Sequence, residues 1–455
     1  MPALSYGASI GWMSPMSLLL QSKDSPRDAP LTDNEVSWMA AIPYLICVLF
    51  NSFIVYFVDK YGRKLGLIMI SIAGAASWTL MLVSFNIWAL MLARALVGIT
   101  MSGCYVICPI YTKEISDASI RGALGCLVTL FHTSGNLFLY VLGDLLSYTE
   151  ILWICLTIPI IHLMLFVFMP DSPSYLVKRG KIEAATNAIT WLRCKSEPDS
   201  EVQDELNVIR NEHKLDDEGN EFILKTIFTD KILFKAFQIA IITTLAREVC
   251  GSIPVLNFAG EIFTSASVDG NLMLSPNQKA MFLGAVQVIG SIIVSTLVEK
   301  CGRKPLLFIS SLISGLSMCI LASWFLLRSY EIFAPSWIPL FTLCLCIFCD
   351  SSGLQPMSIV LAGEIFSFKY RGTVLAVAMC AATLSDFLQL LFFKSLAKSI
   401  GIHVAFYFFG LICLLLALYV IIVIPETRAR SLEDIYNDLG RKNPDEITEK
   451  EGASV

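Results

Sequence analysis

Four charged residues lie inside long apolar stretches of the sequence, where charged side chains are rare. Arg247 and Glu248 are adjacent, and Asp350 and Asp386 follow in later apolar stretches. A charge at the centre of a bilayer costs about 2.5–3.5 kcal/mol on insertion scales, so such residues face the protein interior and pair with one another. Because adjacent residues of a helix do not face each other, we expect Arg247 to pair with Asp350 or Asp386.

Three interpretations of this cluster stay open. It is an ion pair that fixes helix packing, a proton-binding site, or part of the recognition site for a polar or charged solute. The cluster holds more carboxylates than Arg247 can neutralise, and burial favours the protonated form of a carboxyl group. The candidate proton-coupling residues are Glu248, Asp350, Asp386 and His132, which lies in an earlier apolar stretch.

Membrane-spanning helices are the elements that must position these charges. Apolar residues make up 55% of the 455 residues and charged residues only 16%, whereas soluble domains carry about 25% charged residues. A spanning helix needs about 20 mostly apolar residues. Twelve stretches fit: 1–20, 36–58, 65–84, 88–109, 123–143, 151–169, 235–263, 280–298, 306–327, 337–361, 372–396 and 403–424. At a rise of about 1.5 Å per residue, the four charges lie about 18–21 Å from a membrane face.

Other function classes fit the sequence poorly. The net charge of −5 provides no basic surface for nucleic acid, and the fourteen cysteines lack the spacing of metal ligands. Residues 7–11 match the G-x-S-x-G nucleophile pattern, but that motif needs a strand before it and a helix after it. Here it lies in an apolar stretch, so we interpret Gly7 and Gly11 as sites of close helix packing and predict no enzymatic activity and no metal.

A repeated set of charged motifs divides the sequence into two halves. DKYGRK at 59–64 recurs as EKCGRK at 299–304, and the Glu and Arg at 114 and 121 recur at 364 and 371. PDSP after the sixth stretch is echoed by PET after the twelfth. Two six-helix halves in parallel repeat are the geometry of the major facilitator superfamily. We predict a cytoplasmic charge gate, with interfacial anchoring as the alternative, formed by Asp59, Arg63, Glu114, Arg121, Glu299, Arg303, Glu364, Arg371 and Glu426.

The predicted architecture is an all-α membrane protein with twelve spans in two halves, 1–169 and 235–424. Between the halves, 170–234 mixes acidic and basic residues with apolar residues at helical spacing, which predicts short amphipathic helices. Residues 425–455 form a tail. Most Lys and Arg residues fall in the loops on the side of the chain ends, so we predict this side to be cytoplasmic. The first span starts at residue 1, and we expect it to be truncated.

The motifs resemble those of sugar porters of the major facilitator superfamily. The matching segments run along essentially the whole chain and include Gly11-Trp12, the two GRK loops, Arg121-Gly122, PDSPSYLVKRGK, Glu261-Ile262-Phe263, Gly363-Glu364 and PETRARSLEDI. Within these porters, the chain is similar to the insect facilitated trehalose transporters. The resemblance implies a plasma-membrane transporter that moves a hexose or trehalose by alternating access, either facilitative or proton-coupled. It implies no cofactor, no nucleic acid and no obligate protein partner, only the solute and the lipid bilayer.

The sequence departs from that family where sugar contacts are expected. The Gln-Gln pair of the seventh span aligns with Arg247 and Glu248, and the Trp of the tenth span is absent. The residues at the aligned contact positions become the predicted substrate-binding residues: Thr129, Arg247, Glu248, Asn257, Phe258, Gln355 and Asp386. Two alternatives remain, a transport-inactive solute sensor and a carrier of a charged solute that is not a sugar.

Overall fold

The computed structural model describes residues 1–23, 25–26, 29–117, 121–194, 200–217, 223–267, 274–366, 368–428, 430 and 432–440. Within these ranges the regular structure is entirely helical. Ten helices of the described part are long and apolar enough to cross a membrane. The remaining two spans of the predicted twelve are a broken helix at the start of the chain and a continuous helix over Arg121–Leu145, which pack against each other.

The first half of the chain contains spans 1 to 6. Span 1 consists of two helices, Pro2–Gly11 and Met13–Gln21, that meet at Trp12. Spans 2 to 6 are Asp33–Tyr61, Arg63–Val83, Ile87–Ile115, Arg121–Leu145 and Tyr148–Phe166. Capping boxes at Thr32 and Ser147 start spans 2 and 6. They bond the free N–H groups of the first helical turn, where each chain segment enters the bundle.

The second half contains spans 7 to 12. Span 7 consists of three helical segments, Lys231–Glu248, Ser252–Asn257 and Ala259–Ala266. Span 10 also has three segments, Ile338–Cys349, Asp350–Leu354 and Gln355–Glu364. The other spans are single helices: Pro276–Cys301 (span 8), Arg303–Ser329 (span 9), Phe368–Ser399 (span 11) and Ile402–Val423 (span 12). Gly62 and Gly302 separate spans 2 and 3 and spans 8 and 9, with φ of 103° and 85°, a conformation that suits glycine. We call the end of the bundle that carries these two glycines the motif face, and the other end the opposite face.

Two spans of the second half that the sequence predicts to be continuous are interrupted. Span 7 breaks after Glu248, because Gly251 adopts a φ of 87° and stops the helix. Span 10 contains a π-helical turn, Asp350–Leu354, which inserts an extra residue into the helical register. Apolar composition predicts span length but carries no information on such breaks. Both interruptions lie beside members of the charged cluster.

The region between the halves forms the predicted short helices on the motif face. They are Pro173–Lys178, Ile182–Arg193, Ser200–Asp217 and Ile223–Thr229. Ala185, Ile189, Val202 and Leu206 are buried together in a small apolar cluster, which confirms the amphipathic pattern. Arg193 Nη1 donates to the carbonyl of Ile115 at 3.1 Å and so holds the region against the end of span 4. A further helix, Leu432–Gly440, packs on span 7, and Lys235 Nζ donates to the Leu439 carbonyl at 2.9 Å.

Two helix pairs carry the main contact between the halves. Span 2 packs on span 11, and span 5 packs on span 8. Across the second pair, Asn136 Nδ2 donates to Gln287 Oε1 at 3.1 Å, and both side chains are buried. Within the first half, Gly7 and Gly11 let span 1 approach span 5, since a Cβ at either glycine would collide with the span 5 backbone. The predicted packing role of the two glycines is therefore confirmed.

Candidate functional site

The charged cluster predicted near the bilayer centre is assembled and buried. Arg247, Glu248, Asp350 and Asp386 are each at most 8% exposed. Arg247 donates from Nε to Asp350 Oδ1 at 3.1 Å and from Nη2 to Asp350 Oδ2 at 3.2 Å. Two parallel bonds of this kind are the strongest geometry between a guanidinium and a carboxylate. The predicted pairing of Arg247 with Asp350 is confirmed, and the pair joins spans 7 and 10 at their interruptions.

The expectation that Arg247 and Glu248 do not meet is wrong. Arg247 Nη1 also donates to the Glu248 carboxylate. Glu248 is the last residue of its helix, so the side chains are free of the geometry that keeps neighbours apart within a continuous helix. The long Arg247 side chain then reaches sideways to its neighbour as well as across to span 10.

Glu248 and Asp386 form a facing pair of carboxyl groups within hydrogen-bonding range. Glu248 Oε2 and Asp386 Oδ1 are buried, and neither receives a hydrogen bond from the described residues. Gln389, on the same helix as Asp386, donates from Nε2 to the Glu248 backbone carbonyl at 3.2 Å. The pair and this amide therefore link span 11 to the break in span 7.

The first half faces the cluster with aromatic side chains and a histidine. Tyr6 Oη lies 3.3 Å from Tyr105 Oη, and the Tyr6 ring stacks on His132 with centroids 4.8 Å apart. His132 Nε2 is buried without a hydrogen-bond partner among the described residues. Tyr105 lies within electrostatic range of Arg247 and both facing carboxyls, and Tyr44 of span 2 lies within range of Asp386.

Sequence reasoning missed Tyr6, Tyr44, Tyr105 and Gln389 as members of the site. All four lie in predicted spans, but a tyrosine in a span usually marks the membrane–water interface. Their sequence positions give no signal of a shared site, which emerges only when the fold shows which faces of spans 1, 2, 4 and 11 meet.

Three of the predicted substrate-binding residues, Phe258, Gln355 and Thr129, form no hydrogen bond or ion pair with the charged cluster in the described structure. Phe258 is buried and stacks on Phe393 with centroids 5.8 Å apart, while Lys394 Nζ lies 5.5 Å from the Phe258 ring centre. Gln355 is half-buried at the start of the last helix of span 10, and Thr129 is exposed one turn before His132. Asn257 is fully buried, its Oδ1 receives no hydrogen bond among the described residues, and its side-chain amide lies close to the Tyr44 hydroxyl.

The repeated motif of the first half forms a charge network on the motif face. Arg63 donates from Nε and Nη2 to Glu114 at 3.0 and 3.1 Å and from Nη1 to Asp59 at 3.2 Å. Asp171 accepts the backbone N–H groups of Arg63 and Lys64, both at 3.2 Å. A carboxylate at the first turn of a helix is stabilised by the free N–H groups there, so Asp171 caps span 3.

The second half repeats this network in the same geometry. Arg303 Nη2 donates to Glu364 Oε1 at 2.7 Å, and Glu426 accepts the backbone N–H groups of Arg303 and Lys304, both at 3.1 Å. Thr427 Oγ1 donates to Glu364 Oε2 at 2.6 Å. Among the described residues, each network joins elements of one half. The role of these residues as a gate stays a prediction.

The motifs contain four further residues: Asp171, Arg371, Arg121 and Glu299. Asp171, which the sequence analysis did not place in the gate, occupies the position of Glu426, and the PDSP and PET echo was the signal for it. The guanidinium of Arg371 packs over Gly363, next to Glu364. The side chains of Arg121 and Glu299 lie outside the described structure.

A second group of ion pairs joins the two halves at the opposite face. Lys394 Nζ lies 2.7 Å from Glu261 Oε2 and 3.5 Å from Asp33 Oδ1, and Lys398 Nζ lies 3.1 Å from Asp33 Oδ2. Asp33 starts span 2, whereas both lysines are in span 11, so the two contacts to Asp33 cross between the halves. The Lys394–Glu261 contact lies within the second half. The sequence showed only sparse positive charge on this side and did not predict the contacts.

These features define a membrane transporter of the major facilitator fold: two repeated six-span halves, matching charge networks and a polar cluster where the halves meet. Among the described residues, His, Cys, Asp and Glu side chains form no group of three or more that could hold a metal ion. The family model described as Sugar (and other) transporter matches residues 4–439. The chain belongs to this family.

Relatives and solved structures agree with this assignment. The chain is 26% identical to the facilitated trehalose transporter Tret1 of Bombyx mori, over 95% of this chain and 84% of that protein. It is 28% identical to solute carrier family 2, facilitated glucose transporter member 6 of Homo sapiens, over 95% and 88%. The inward open xylose transporter XylE from E. coli superposes with a TM-score of 0.76 at 19% identity, covering 96% of this chain and 97% of that one. These relatives are transporters, not enzymes.

Proposed function

We propose that the protein carries a small polar solute, a sugar of hexose or trehalose size, through the membrane by alternating access. The observation that carries the proposal is a set of buried polar atoms without partners in the described structure, gathered where the halves meet: His132 Nε2, Asn257 Oδ1, Glu248 Oε2, Asp386 Oδ1 and Gln389 Oε1. A buried polar group without a partner is costly, and native sites keep such groups to bind a ligand or water. Hydroxyl groups of a sugar match them.

The interrupted spans support a binding site at this depth. Transporters of this fold bind solute near the midplane, between the halves, where helices are discontinuous. Here the breaks after Glu248 and at Asp350–Leu354 lie in that region. The trehalose and glucose named for the relatives are the first solutes to test. We propose the rocking units to be 1–169 and 235–424.

The charge distribution supports an orientation with both termini in the cytoplasm. The motif face carries the two GRK loops and the basic residues of the linker, and cytoplasmic loops carry an excess of Lys and Arg. We propose the plasma membrane as the location, in keeping with import or export of a solute of the cell's surroundings.

Uptake by purified protein in liposomes tests the function. We expect labelled trehalose or glucose to exchange across the membrane when unlabelled sugar is loaded inside. Asn257→Ala should lower exchange about tenfold, because a buried sugar hydroxyl would lose its hydrogen-bond acceptor. Leaving such a group unpaired costs about 1–3 kcal/mol, and 1.4 kcal/mol is a factor of about ten. Asn187→Ala, an exposed asparagine on the linker, is the matched control and should exchange as the wild type does.

Two outcomes would contradict the proposal. If no sugar exchanges although one binds to the purified protein, the chain is a sensor rather than a transporter. If Asn257→Ala exchanges normally, the sugar binds elsewhere. Repeating the assay with an inward proton gradient separates the two modes of transport. Facilitative transport equilibrates the sugar, whereas coupling to one proton concentrates it about tenfold per pH unit.

A further inference from the structure

We propose that the cluster at the break of span 7 binds a cationic amine, so that the solute is an amine-bearing sugar or similar polyol. This inference rests on the proposed function and narrows its substrate class. Its site consists of Glu248, Asp386, Gln389 and Asn257, which we call the acceptor cluster. Each of these four side chains has a buried oxygen without a hydrogen-bond partner among the described residues.

The unpaired atoms of the acceptor cluster are all acceptors. They are Glu248 Oε2, Asp386 Oδ1, Gln389 Oε1 and Asn257 Oδ1. The two amides cannot be turned to present their nitrogens, because each N–H₂ group already donates to a backbone carbonyl. Gln389 Nε2 donates to Glu248 at 3.2 Å, and Asn257 Nδ2 donates to Ile253 at 3.0 Å. A ligand that satisfies these oxygens must therefore supply several donors.

The charge balance favours the same kind of ligand when Glu248 and Asp386 are both ionised. Three carboxyl groups surround one guanidinium, and Asp350 takes two of the Arg247 donors. Arg247 gives a further bond to Glu248 but none to Asp386 in the described structure. Asp386 thus faces a second carboxyl group without a cation of its own. An ammonium group carries three donors and a positive charge. It would therefore supply both the hydrogen-bond donors and the positive charge that the acceptor cluster lacks.

Other groups around the pair do not remove this deficit. The titratable or charged side chains that face the pair are Arg247 and Cys250 at the break of span 7, Asp350 on span 10, Tyr105 on span 4, and Tyr44 and Cys47 on span 2. His132 on span 5 faces Arg247. Arg247 is the one permanent cation among them. A proton shared by Glu248 and Asp386 would satisfy the carboxyl pair alone. It would leave the oxygen of the fully buried Asn257 without a donor.

Competition in liposomes tests the proposal. Exchange of labelled D-glucosamine and D-glucose is measured at equal concentrations, with N-acetyl-D-glucosamine as an uncharged competitor. We expect the amine to be preferred about tenfold or more, since hydrogen bonds between charged groups are worth about 1.5–3 kcal/mol. Glu248→Gln and Asp386→Asn should each abolish the preference, measured as the ratio of glucosamine exchange to glucose exchange by the same variant, because each removes a carboxylate that would pair with the ammonium group. Asp144→Asn, which removes a carboxylate of span 5 bonded to Ser275, is the control and should keep it.

The outcomes separate this proposal from the proposed function. Equal exchange of glucosamine and glucose by the wild type overturns the amine site but leaves sugar transport standing. Glucosamine binding to the detergent-solubilised protein, lost in Asp386→Asn, without any exchange upholds the site and removes transport. If a proton gradient concentrates glucose and the two substitutions end this without changing amine preference, the pair binds a proton instead and the proposal fails.

Discussion

Replacing Glu114 by Gln tests the first-half charge network at a nearly buried contact. The side chains of Arg63 and Glu114 are 10% and 14% exposed, whereas those of Arg303 and Glu364 are 19% and 31% exposed. Breaking a buried ion pair costs about 3–5 kcal/mol, and an exposed one is worth about 0–1 kcal/mol. Glu114→Gln and Glu364→Gln therefore compare two equivalent ion pairs that differ in solvent exposure.

The structure gives the expected size of each loss. Arg63 keeps its bond to Asp59 at 3.2 Å in Glu114→Gln, so we expect about 2–3 kcal/mol rather than the full value for a buried pair. Glu364→Gln should cost about 1–2 kcal/mol, because solvent screens the more exposed pair. Asp59→Asn neutralises a side chain that is 48% exposed and should cost about 0.5 kcal/mol.

Unfolding of the purified variants in mixed detergent micelles, followed by tryptophan fluorescence, measures the three losses. The order Glu114→Gln, Glu364→Gln, Asp59→Asn is the expected result. A Glu364→Gln variant as unstable as Glu114→Gln would show that burial does not set the strength of these networks, and the reasoning would be refuted. Because each network lies within one half, we also expect the variants to weaken their own half before they alter contact between the halves.

Three further substitutions test other contacts. Lys394→Met removes the buried cation that reaches Asp33 across the halves, and we expect an engineered cysteine in the opposite-face interface to react faster with a thiol reagent in this variant. Arg94→Met should destabilise the protein by about 2–4 kcal/mol, measured by the same unfolding assay, since the fully buried guanidinium donates to backbone carbonyls of spans 1 and 2 at 2.7 and 2.9 Å. Gly251→Ala should abolish exchange, because its φ of 87° disfavours alanine and the added Cβ would strike Phe409.

The fold could be predicted from the sequence because its signals are long and repeated. A span is an apolar stretch of about 20 residues, and the charged motifs of one half recur in the other. Both are visible without knowing which helices touch. The interruptions were not predictable in the same way. A glycine in an apolar stretch is common, and only the backbone shows that Gly251 takes a positive φ while Gly7 and Gly11 serve helix packing.

The site was predictable to the extent that charge is rare in a span. Pairing of Arg247 with Asp350 or Asp386 could be predicted because a buried charge needs a partner, but the choice of Asp350 required the structure. Tyr6, Tyr105 and Gln389 could not be predicted, since their residue types are compatible with many places in a membrane protein. Their contribution depends on which faces of spans 1, 4 and 11 meet, a long-range property that apolar periodicity does not contain.

The two walls of the site differ in a way that bears on how the solute moves. The second-half wall holds all four charges, and the bidentate Arg247–Asp350 pair fastens spans 7 and 10 together at their breaks. The first-half wall offers the hydroxyl groups of Tyr6 and Tyr105 and the ring of His132. A cationic end of the solute should therefore stay with the second half in both states. Its neutral hydroxyl groups, which bind the first half more weakly, should exchange partners as the halves rock, because a ligand shifts a conformational equilibrium only through contacts that differ between the states.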